Sequence, residues 1–356
     1  MEIKPLTENQ KELFNTLNNE RIKILLVIGP SGSGKSLLTF NYCLEAIKNK
    51  KFERIVLFKP IFDVATKQLY SILQLGNLYF KNVEDYLYDL TVALKEDWNE
   101  IKKFIGEKII ISDLTSLLGR TFDNSIILIE DAHVLKSENL IEVLMRLGKD
   151  SRLIIIGDAL LQIYNSLSIL KTLLKNEANA KIVELGFNDI IRENSKLGLK
   201  LWIENRIRSR EMSSEEKTIY EKIKEETEAD IMTVIDMRKE KEEIGIKSEN
   251  VADVIVITRD YGKVVGKEGQ TISKLEKELN VTIRVIQNFL DEKELIRVLH
   301  PAGRIHKQVN AEIKGSTFYI YSSKESRSIV LGTKGVNIRY FERALKKILP
   351  LDVIVV

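Results

Sequence analysis

The chain has 356 residues, of which 44% are hydrophobic and 30% are charged, and this length exceeds that of one average domain. No apolar run approaches the roughly 18 residues that a membrane-spanning helix needs, and the N-terminus lacks the apolar core of a signal peptide. Cys43 is the single cysteine, which excludes a disulfide framework and a cysteine zinc site. We therefore expect a soluble, cytoplasmic protein with no membrane partner.

The net charge of +3 is unevenly distributed along the chain. From position 241 onward, 20 Lys and Arg stand against 15 Asp and Glu, a balance of +5, whereas positions 1–240 balance at −2. A mildly basic C-terminal part is typical of proteins that bind a polyanion, although a balance of this size is also common on a plain solvated surface.

The first predicted element is a helix that begins after Thr7. Thr7 is a favourable N-cap, and Gln10, three residues later, completes the pattern of a capping box. An apolar, β-branched run then follows at Ile22–Ile28, which predicts a buried parallel strand.

The strongest motif comes directly after this strand and fits the pattern G-x-x-x-x-G-K-[ST]. It precedes a predicted helix over 37–47 and consists of Gly29, Pro30, Ser31, Gly32, Ser33, Gly34, Lys35 and Ser36. The glycines let the backbone wrap a phosphate, while free N–H groups point inward at the start of a helix. We therefore expect Lys35 to contact the β- and γ-phosphates of ATP and the Ser36 hydroxyl to bind Mg²⁺. The alternative is a plain glycine-rich turn.

Apolar strands and helical stretches alternate beyond this loop, which predicts an α/β domain with a mainly parallel sheet. Positions 61–107 are predicted to be mostly helical, and the predicted strands are 54–58, 109–111, 126–129, 153–156 and 182–185. Ligands of such sheets bind at the carboxyl ends of the strands, so polar residues at those ends are candidates for the site.

Two pairs of polar residues stand at such strand ends. Glu130 and Asp131 follow an apolar strand, where an ATPase keeps one carboxylate on Mg²⁺ and one that activates the attacking water. Asp158 and Gln162 follow the next strand and are candidates for sensing the γ-phosphate. The alternatives are an acidic helix N-terminus for the first pair and ordinary turn and helix residues for the second.

Taken together, these features resemble the PhoH-like ATPases over roughly positions 5–205. The segments that carry the resemblance are 29–36, 59–60, 83–87, 114–121, 130–133, 146–148, 157–158 and 189–192. The resemblance implies a RecA-like, helicase-like ATPase core that often assembles as a ring, here plausibly a hexamer. It implies an adenine contact for Gln10, beside its capping role. It also implies Arg120 or Arg192 near the γ-phosphate, in the same or a neighbouring subunit, to stabilise charge on the transferred group.

The sequence departs from the usual family pattern at three places. The usual Asp-Glu-Ala-Gln is replaced by Glu-Asp-Ala-His at 130–133, so the two carboxylates are exchanged. Lys59 stands where arginine is usual, and the spacing from Asp158 to Gln162 is one residue longer. Because Asp131 is one methylene shorter than the usual catalytic glutamate, we expect slow turnover.

Positions 206–247 change character and are predicted to form a charged helical linker. The run over 215–243 has no glycine or proline, and its apolar residues form a helical stripe of moderate quality. The predicted domains are therefore an ATPase domain at 1–205, this linker at 206–247, and two small domains at 248–289 and 290–356.

The C-terminal part contains an internal repeat at an interval of 66 residues. Each copy reads as a strand, an apolar pair, a GxxG loop, an amphipathic helix and a second strand. The loops are Gly266-Lys267-Glu268-Gly269 and Gly332-Thr333-Lys334-Gly335. The copies resemble KH domains, small α+β folds whose GxxG loop clamps single-stranded nucleic acid, which implies phosphate contacts for Lys267 and Lys334. The alternative is a pair of units used for protein contacts.

Two motif sets in one chain predict an RNA-binding, Mg²⁺-dependent ATPase that acts on single-stranded RNA as a helicase or remodeller, with DNA left open as a ligand. A second hypothesis is a binding protein that ATP switches, with little hydrolysis because of the Glu130-Asp131 order. A third, a small-molecule kinase, lacks an arginine-rich lid.

Overall fold

A computed structural model describes residues 4–248 and 250–356, which divide into two compact units. The first unit runs to Lys196 and includes Lys314–Ser316, and the second comprises Leu197–Ile313 and Thr317–Val356. Within the described ranges, no helix is long and apolar enough to cross a membrane.

The first unit is built on a six-stranded parallel sheet, which confirms the predicted α/β class. The strands of this unit are β1 (Ile24–Ile28), β2 (Arg54–Phe58), β3 (Ile61–Asp63), β4 (Gln68–Tyr70), β5 (Ile109–Ser112), β6 (Ser125–Ile129), β7 (Arg152–Gly157) and β8 (Ala180–Glu184). Strands β3 and β4 form a separate antiparallel hairpin outside this sheet. The sheet order is β5-β2-β6-β7-β1-β8, so the carboxyl ends of β6, β7 and β1 lie side by side.

Helices connect these strands. They are α1 (Glu8–Leu17), α2 (Lys35–Lys48), α3 (Ile72–Leu75), α4 (Asn77–Leu94), α5 (Trp98–Phe104), α6 (Leu114–Leu118), α7 (Ser137–Leu144), α8 (Ser166–Leu174) and α9 (Glu193–Arg208), which continues into the second unit. Helix α1 begins as predicted, because the Thr7 side chain accepts a hydrogen bond from the Gln10 backbone N–H at 3.2 Å.

The inner strands of the parallel sheet are buried on both faces, which explains why they read as largely apolar runs. In β1, Leu25 and Val27 join a core cluster with residues of α1, α2 and α4, while Leu26 and Ile28 join a second cluster with residues of α7 and α8. Each fully buried aliphatic side chain contributes about 1.5–3 kcal/mol. Two apolar layers therefore fix the strand ends and the polar residues that follow them.

The C-terminal part repeats one succession of elements: a helix, two strands, a helix, a GxxG loop, a helix and a strand. The first copy, with α11 inserted between its first two strands, consists of α10 (Ser214–Thr227), β9 (Ile231–Asp236), α11 (Arg238–Ile244), β10 (Val254–Thr258), α12 (Tyr261–Val265), α13 (Gln270–Leu279) and β11 (Ile283–Ile286). The second copy consists of α14 (Glu292–Leu299), β12 (Asn310–Lys314), β13 (Thr317–Tyr321), α15 (Lys324–Leu331), α16 (Val336–Ile348) and β14 (Asp352–Val355).

Each copy has a three-stranded sheet of matching arrangement. Strand β10 pairs in parallel with β11 and antiparallel with β9, and β13 pairs in parallel with β14 and lies beside β12. These two parts confirm the predicted small α+β folds, and we call them the first KH-like segment (214–286) and the second KH-like segment (292–355).

Two stretches differ from the sequence-based predictions. The predicted helical linker is wrong for 231–236. These residues form the buried strand β9, which pairs with β10 although it precedes the predicted domain boundary at 248. The mostly helical stretch 61–107 is interrupted at its start by the hairpin β3–β4. The hydrophobic periodicity of a short apolar run does not distinguish a strand from a buried helix. The charged residues on both sides of 231–236 therefore led to the wrong prediction of a helix there. The remaining domain boundaries stay predictions.

Val234→Ala should lower the free energy of unfolding by about 2 kcal/mol, because Val234 is fully buried in the core of the first KH-like segment. Lys239→Ala, on the exposed surface of α11, should change it by less than about 0.5 kcal/mol. Urea denaturation followed by circular dichroism measures both values. Negligible effects of both substitutions would favour a solvated linker over a packed strand.

Candidate functional site

The phosphate loop leaves the carboxyl end of β1 and leads into α2, as the motif predicts. The Gly29 N–H donates to the Gly157 carbonyl at the end of β7, at 3.1 Å. The Ser31 N–H donates to Asp158 Oδ2 at 3.0 Å. The loop is thus fixed to the neighbouring strand by one backbone bond and one carboxylate.

Lys35 is buried at the start of α2, and its Nζ donates to the Pro30 carbonyl at 2.8 Å. The Ser33 hydroxyl donates to the same carbonyl, also at 2.8 Å. Burial lowers the pKa of Lys35, while the carboxylates of Asp158 and Glu130 act in the opposite direction. A buried ammonium group held by a neutral carbonyl would bind more strongly to an anion in the loop.

Ser36 lies next to Glu130, the residue that follows β6. The Ser36 hydroxyl donates to Glu130 Oε2 at 2.9 Å. Glu130 is 1% exposed, and burial raises the pKa of its carboxyl group, whereas Lys59, Tyr86 and Ser36 act in the opposite direction. The carboxyl group is thus held in a dry environment beside a hydroxyl group.

These two side chains fit a Mg²⁺ ion. Within the described residues, Glu130 Oε1 is buried without a hydrogen-bond partner, and Mg²⁺ prefers hard oxygen ligands of this kind. The same part of the chain contains no group of three or more histidine, cysteine or acidic side chains that could hold a metal. The remaining ligands of Mg²⁺ would therefore be phosphate oxygens and water, as is usual for this ion.

Asp131, the other predicted carboxylate, forms an ion pair with Lys59. Asp131 has left-handed backbone angles (φ 44°, ψ 39°), and its side chain is 43% exposed. The Lys59 ammonium group also lies over the Tyr86 ring, 4.9 Å from its centroid. The pair engages Asp131 Oδ2, so Oδ1 is the oxygen that could accept a proton from water.

Asp158 joins the phosphate loop to the turn after β7. Its Oδ1 accepts from the Leu160 N–H at 3.0 Å, and its own N–H donates to His133 Nδ1 at 3.4 Å. Burial, followed by the positive charges of Lys35 and Lys59, lowers the pKa of His133 to about 4. The imidazole is therefore neutral at pH 7, and its Nδ1 can accept this bond.

Gln162 is placed differently from Asp158. Its amide N–H donates to the Ser168 hydroxyl in α8 at 3.2 Å, and its Oε1 is buried without a hydrogen-bond partner among the described residues. The amide is thus directed to α8 by the bond that it makes, and a role as γ-phosphate sensor stays a prediction.

The Gln10 side chain contacts the phosphate loop. Its Nε2 donates to the Ser33 carbonyl at 3.0 Å and to the Asp189 carbonyl at 3.3 Å. Its Oε1 accepts from the Leu6 N–H at 2.8 Å, so the reciprocal bond to Thr7 that a capping box requires is replaced by a bond to the preceding residue. An adenine contact stays a prediction, and it would require Gln10 to release some of these partners.

The two GxxG loops have nearly the same backbone. At Gly266 φ and ψ are 75° and 174°, and at Gly332 they are 69° and 169°. A Cβ atom at these positions would lie 2.1 Å and 2.6 Å from its nearest neighbour, so both require glycine. The middle side chains of the loops are exposed: Lys267, Glu268, Thr333 and Lys334.

A family model described as PhoH-like protein matches residues 2–203, more than half of the chain. The chain belongs to the PhoH-like family. A second model, described as KH domain, matches residues 251–299 and includes the loop of the first KH-like segment. Both families expected from the sequence are thus confirmed, while the KH identity of the second KH-like segment stays a prediction.

Relatives of this PhoH-like chain match over parts of their length. A PhoH-like protein of Mycobacterium leprae is 26% identical over 44% of this chain and 44% of its own. A PhoH-like protein of Bacillus subtilis is 25% identical over 53% of this chain and 60% of its own. The chain thus spans about half the length of these relatives. A solved structure titled "Crystal structure of APE1850" is 18% identical over 41% of this chain and 100% of its own, with a TM-score of 0.30.

The two arginines that the PhoH-like pattern assigns to the γ-phosphate lie outside the hydrogen-bonded network of the site. Arg120 is exposed after α6, and its guanidinium group lies 5.2 Å from the centroid of the Phe122 ring. Arg192 is exposed directly before α9. Within 4–248 and 250–356 neither has an ion-pair partner, so both are available, and which of them acts stays a prediction.

Three side chains of this PhoH-like site are absent from the predicted site residues: Lys59, Tyr86 and Asp189. Asp189 is 1% exposed and accepts hydrogen bonds from Thr7 Oγ1 and, at 2.9 Å, from Asn9 Nδ2. It thereby holds the start of α1, and with it Gln10, against the phosphate loop. All three lie in segments that carry the family pattern, but the pattern does not say what these side chains contact.

His133→Gln, which restores the residue usual in the family, should make the free energy of unfolding less sensitive to acid. Folding lowers the pKa of His133 from 6.5 to about 4, so on acidification the unfolded chain takes up a proton that the folded chain does not. Between about pH 7 and pH 5, the wild type should therefore lose about 1–2 kcal/mol more stability than the variant. Urea denaturation at both pH values measures this difference, and equal losses would contradict a buried neutral histidine.

Proposed function

We propose that this chain binds and hydrolyses ATP with Mg²⁺ at its phosphate loop and binds single-stranded RNA with its KH-like segments, so that hydrolysis remodels or unwinds the RNA. One observation carries the proposal: Lys35, Ser36 and Glu130 lie together beside the phosphate loop at the carboxyl edge of a parallel sheet, in a chain that also has GxxG loops. A cytoplasmic location, expected from the sequence, is part of the proposal.

Each residue of the site has a role in this proposal. The loop N–H groups and Lys35 would hold the β- and γ-phosphates, while Ser36 and Glu130 would hold Mg²⁺. Mg²⁺ supplies charge neutralisation on the phosphates and orients them. Asp131 would accept the proton of the attacking water through the oxygen that Lys59 does not engage.

An arginine completes the proposed site. The ammonium groups of Lys35 and Lys59 are engaged by protein oxygen atoms, on Pro30 and Asp131 respectively. A guanidinium group supplied by Arg120 or Arg192 would stabilise the charge that develops on the transferred phosphoryl group. A ring-shaped homo-oligomer, for which a hexamer is expected, would allow a neighbouring copy to supply it.

Steady-state ATP hydrolysis with and without a single-stranded RNA of about 20 nucleotides tests the proposal. The wild type should hydrolyse ATP faster with RNA than without it. The Lys35→Ala variant should hydrolyse ATP at least about tenfold more slowly than the wild type, because no ammonium group then neutralises the phosphates. Lys102→Ala, on an exposed turn of α5, should behave as the wild type. Turnover that does not respond to RNA, together with no RNA binding, would contradict the proposal.

A second candidate function is favoured by the ion pair between Lys59 and Asp131. In this form of the proposal, the chain binds ATP, hydrolyses little of it, and uses the bound nucleotide to change its affinity for RNA. The exchanged carboxylates would be the cause, since the shorter and ion-paired Asp131 stands where a glutamate usually activates water.

Asp131→Glu should raise the ATP hydrolysis rate several-fold, because the added methylene extends the carboxylate toward the position of the usual catalytic group. Asp131→Asn is the matched control, since it keeps the size of the side chain but removes the base. Single-turnover measurements at saturating ATP give the hydrolysis rates of both variants. ATP binding is measured separately. An unchanged rate in the glutamate variant would show that the order of the carboxylates does not limit hydrolysis.

A further inference from the structure

The two GxxG loops share a backbone but differ in charge. Their third residues, Glu268 and Lys334, both have left-handed angles, with φ of 52° and 55° and ψ of 24° and 26°. These differences are far smaller than the scatter found within regular helices and strands. The two side chains therefore leave the backbone at equivalent places, one with a negative charge and one with a positive charge.

A second difference lies one turn into the helix that follows each loop. Arg339 is the fourth residue after Gly335, and Ser273 is the fourth residue after Gly269. Arg339 Nε donates to the Gly335 carbonyl at 3.3 Å, which keeps the guanidinium group beside the second loop. The first loop has only a hydroxyl group at the corresponding place.

Two cations around the first loop are paired with carboxylates, whereas Lys267 has no ion-pair partner among the described residues. Lys263 in α12 pairs with Asp260 at 3.2 Å, and Lys274 in α13 pairs with Glu226 at 2.6 Å. Inside that loop, the charges of its two middle residues cancel. In contrast, Lys334 and Arg339 have no ion-pair partner in the described part of the chain.

We infer that the second KH-like segment, through Lys334 and Arg339, makes the stronger contact with the RNA backbone, and that Glu268 weakens the contact of the first. The inference rests on the proposed RNA binding and names the residues that carry it. Each cation that neutralises a phosphate raises the affinity and its dependence on salt. A carboxylate facing a phosphate acts in the opposite direction, because like charges repel.

The match to the KH family model and the charge of the loops thus favour different segments as the stronger RNA contact. The KH domain model matches 251–299, which includes the first loop, the one less suited to phosphate. The second segment has the same order of elements and the same loop backbone, and its loop region carries two unpaired positive charges. The ligand expected there is the phosphodiester backbone of a single strand, recognised by charge.

The test uses the full chain and a fluorescently labelled single-stranded RNA of about 20 nucleotides, with anisotropy measured over a range of salt concentrations. Lys334→Glu should weaken binding at least about tenfold and lower the slope of log affinity against log salt by about 0.7. Lys267→Glu, the matched change in the first loop, should weaken binding less than about threefold. The first loop already holds glutamate at the backbone position of Lys334, so Lys334→Glu is compatible with the fold.

Two further variants separate charge from folding. Glu268→Lys should strengthen binding several-fold, a gain that damage to the fold cannot produce. Arg339→Gln keeps a donor for the Gly335 carbonyl but removes the charge, and it should weaken binding while the circular dichroism spectrum and the melting temperature stay unchanged.

The outcomes distinguish this inference from the proposed function. If Lys267→Glu weakens binding as much as Lys334→Glu, or if Glu268→Lys has no effect, the inference is overturned while RNA binding stands. If Arg339→Gln binds as the wild type does, Arg339 has no part in the contact. A wild-type chain that binds no RNA at all overturns the proposed function itself.

Discussion

The carboxyl edge of the parallel sheet concentrates buried charge, and the arrangement of the first unit depends on how that charge is held. Lys35, Glu130 and Asp158 are each no more than 8% exposed, and removing such groups from water is unfavourable unless each is paired or hydrogen-bonded. They are held by hydrogen bonds with the phosphate loop and with Ser36, and the charge of Lys35 is opposite to that of the two carboxyl groups. The apolar layers on both faces of the sheet keep them at fixed separations. A polyphosphate with Mg²⁺ would add the partners that Glu130 and Lys35 still lack.

Two of the departures from the family pattern contact each other, and a third contacts the backbone of another residue of the site. Lys59, in place of arginine, pairs with Asp131, one of the two exchanged carboxylates. His133, in place of glutamine, accepts from the backbone N–H of Asp158. The lysine ammonium group is a compact point charge, whereas an arginine guanidinium group is a planar fork that can bind both oxygens of a carboxylate. A single oxygen of Asp131 is therefore enough to pair with Lys59. The substitutions therefore act on two acidic residues of the site, on Asp131 through its side chain and on Asp158 through its backbone.

The parts of the structure that were predictable from sequence are those with a local signal. The inner strands of the parallel sheet are largely apolar runs, and Lys35 and Ser36 belong to one short motif. By contrast, the contact of Gln10 with Ser33 and the contact of Asp189 with Thr7 join residues far apart in the chain, and no periodicity reports them. Strand β9 was hidden because its six residues lie between two charged helices, α10 and α11, whose composition dominates any window that includes it.

The unequal charge of the two GxxG loops would affect how long an RNA strand stays bound. Two equally strong contacts on one chain would act in tandem, and such linkage can raise overall affinity by about 10²–10⁴ without any new contact. If the chain binds RNA as proposed, a strong loop and a weak loop would forgo most of that gain, and a single contact would set the lifetime of the complex. A protein that must release RNA in each cycle of nucleotide turnover would release it faster with one strong contact than with two.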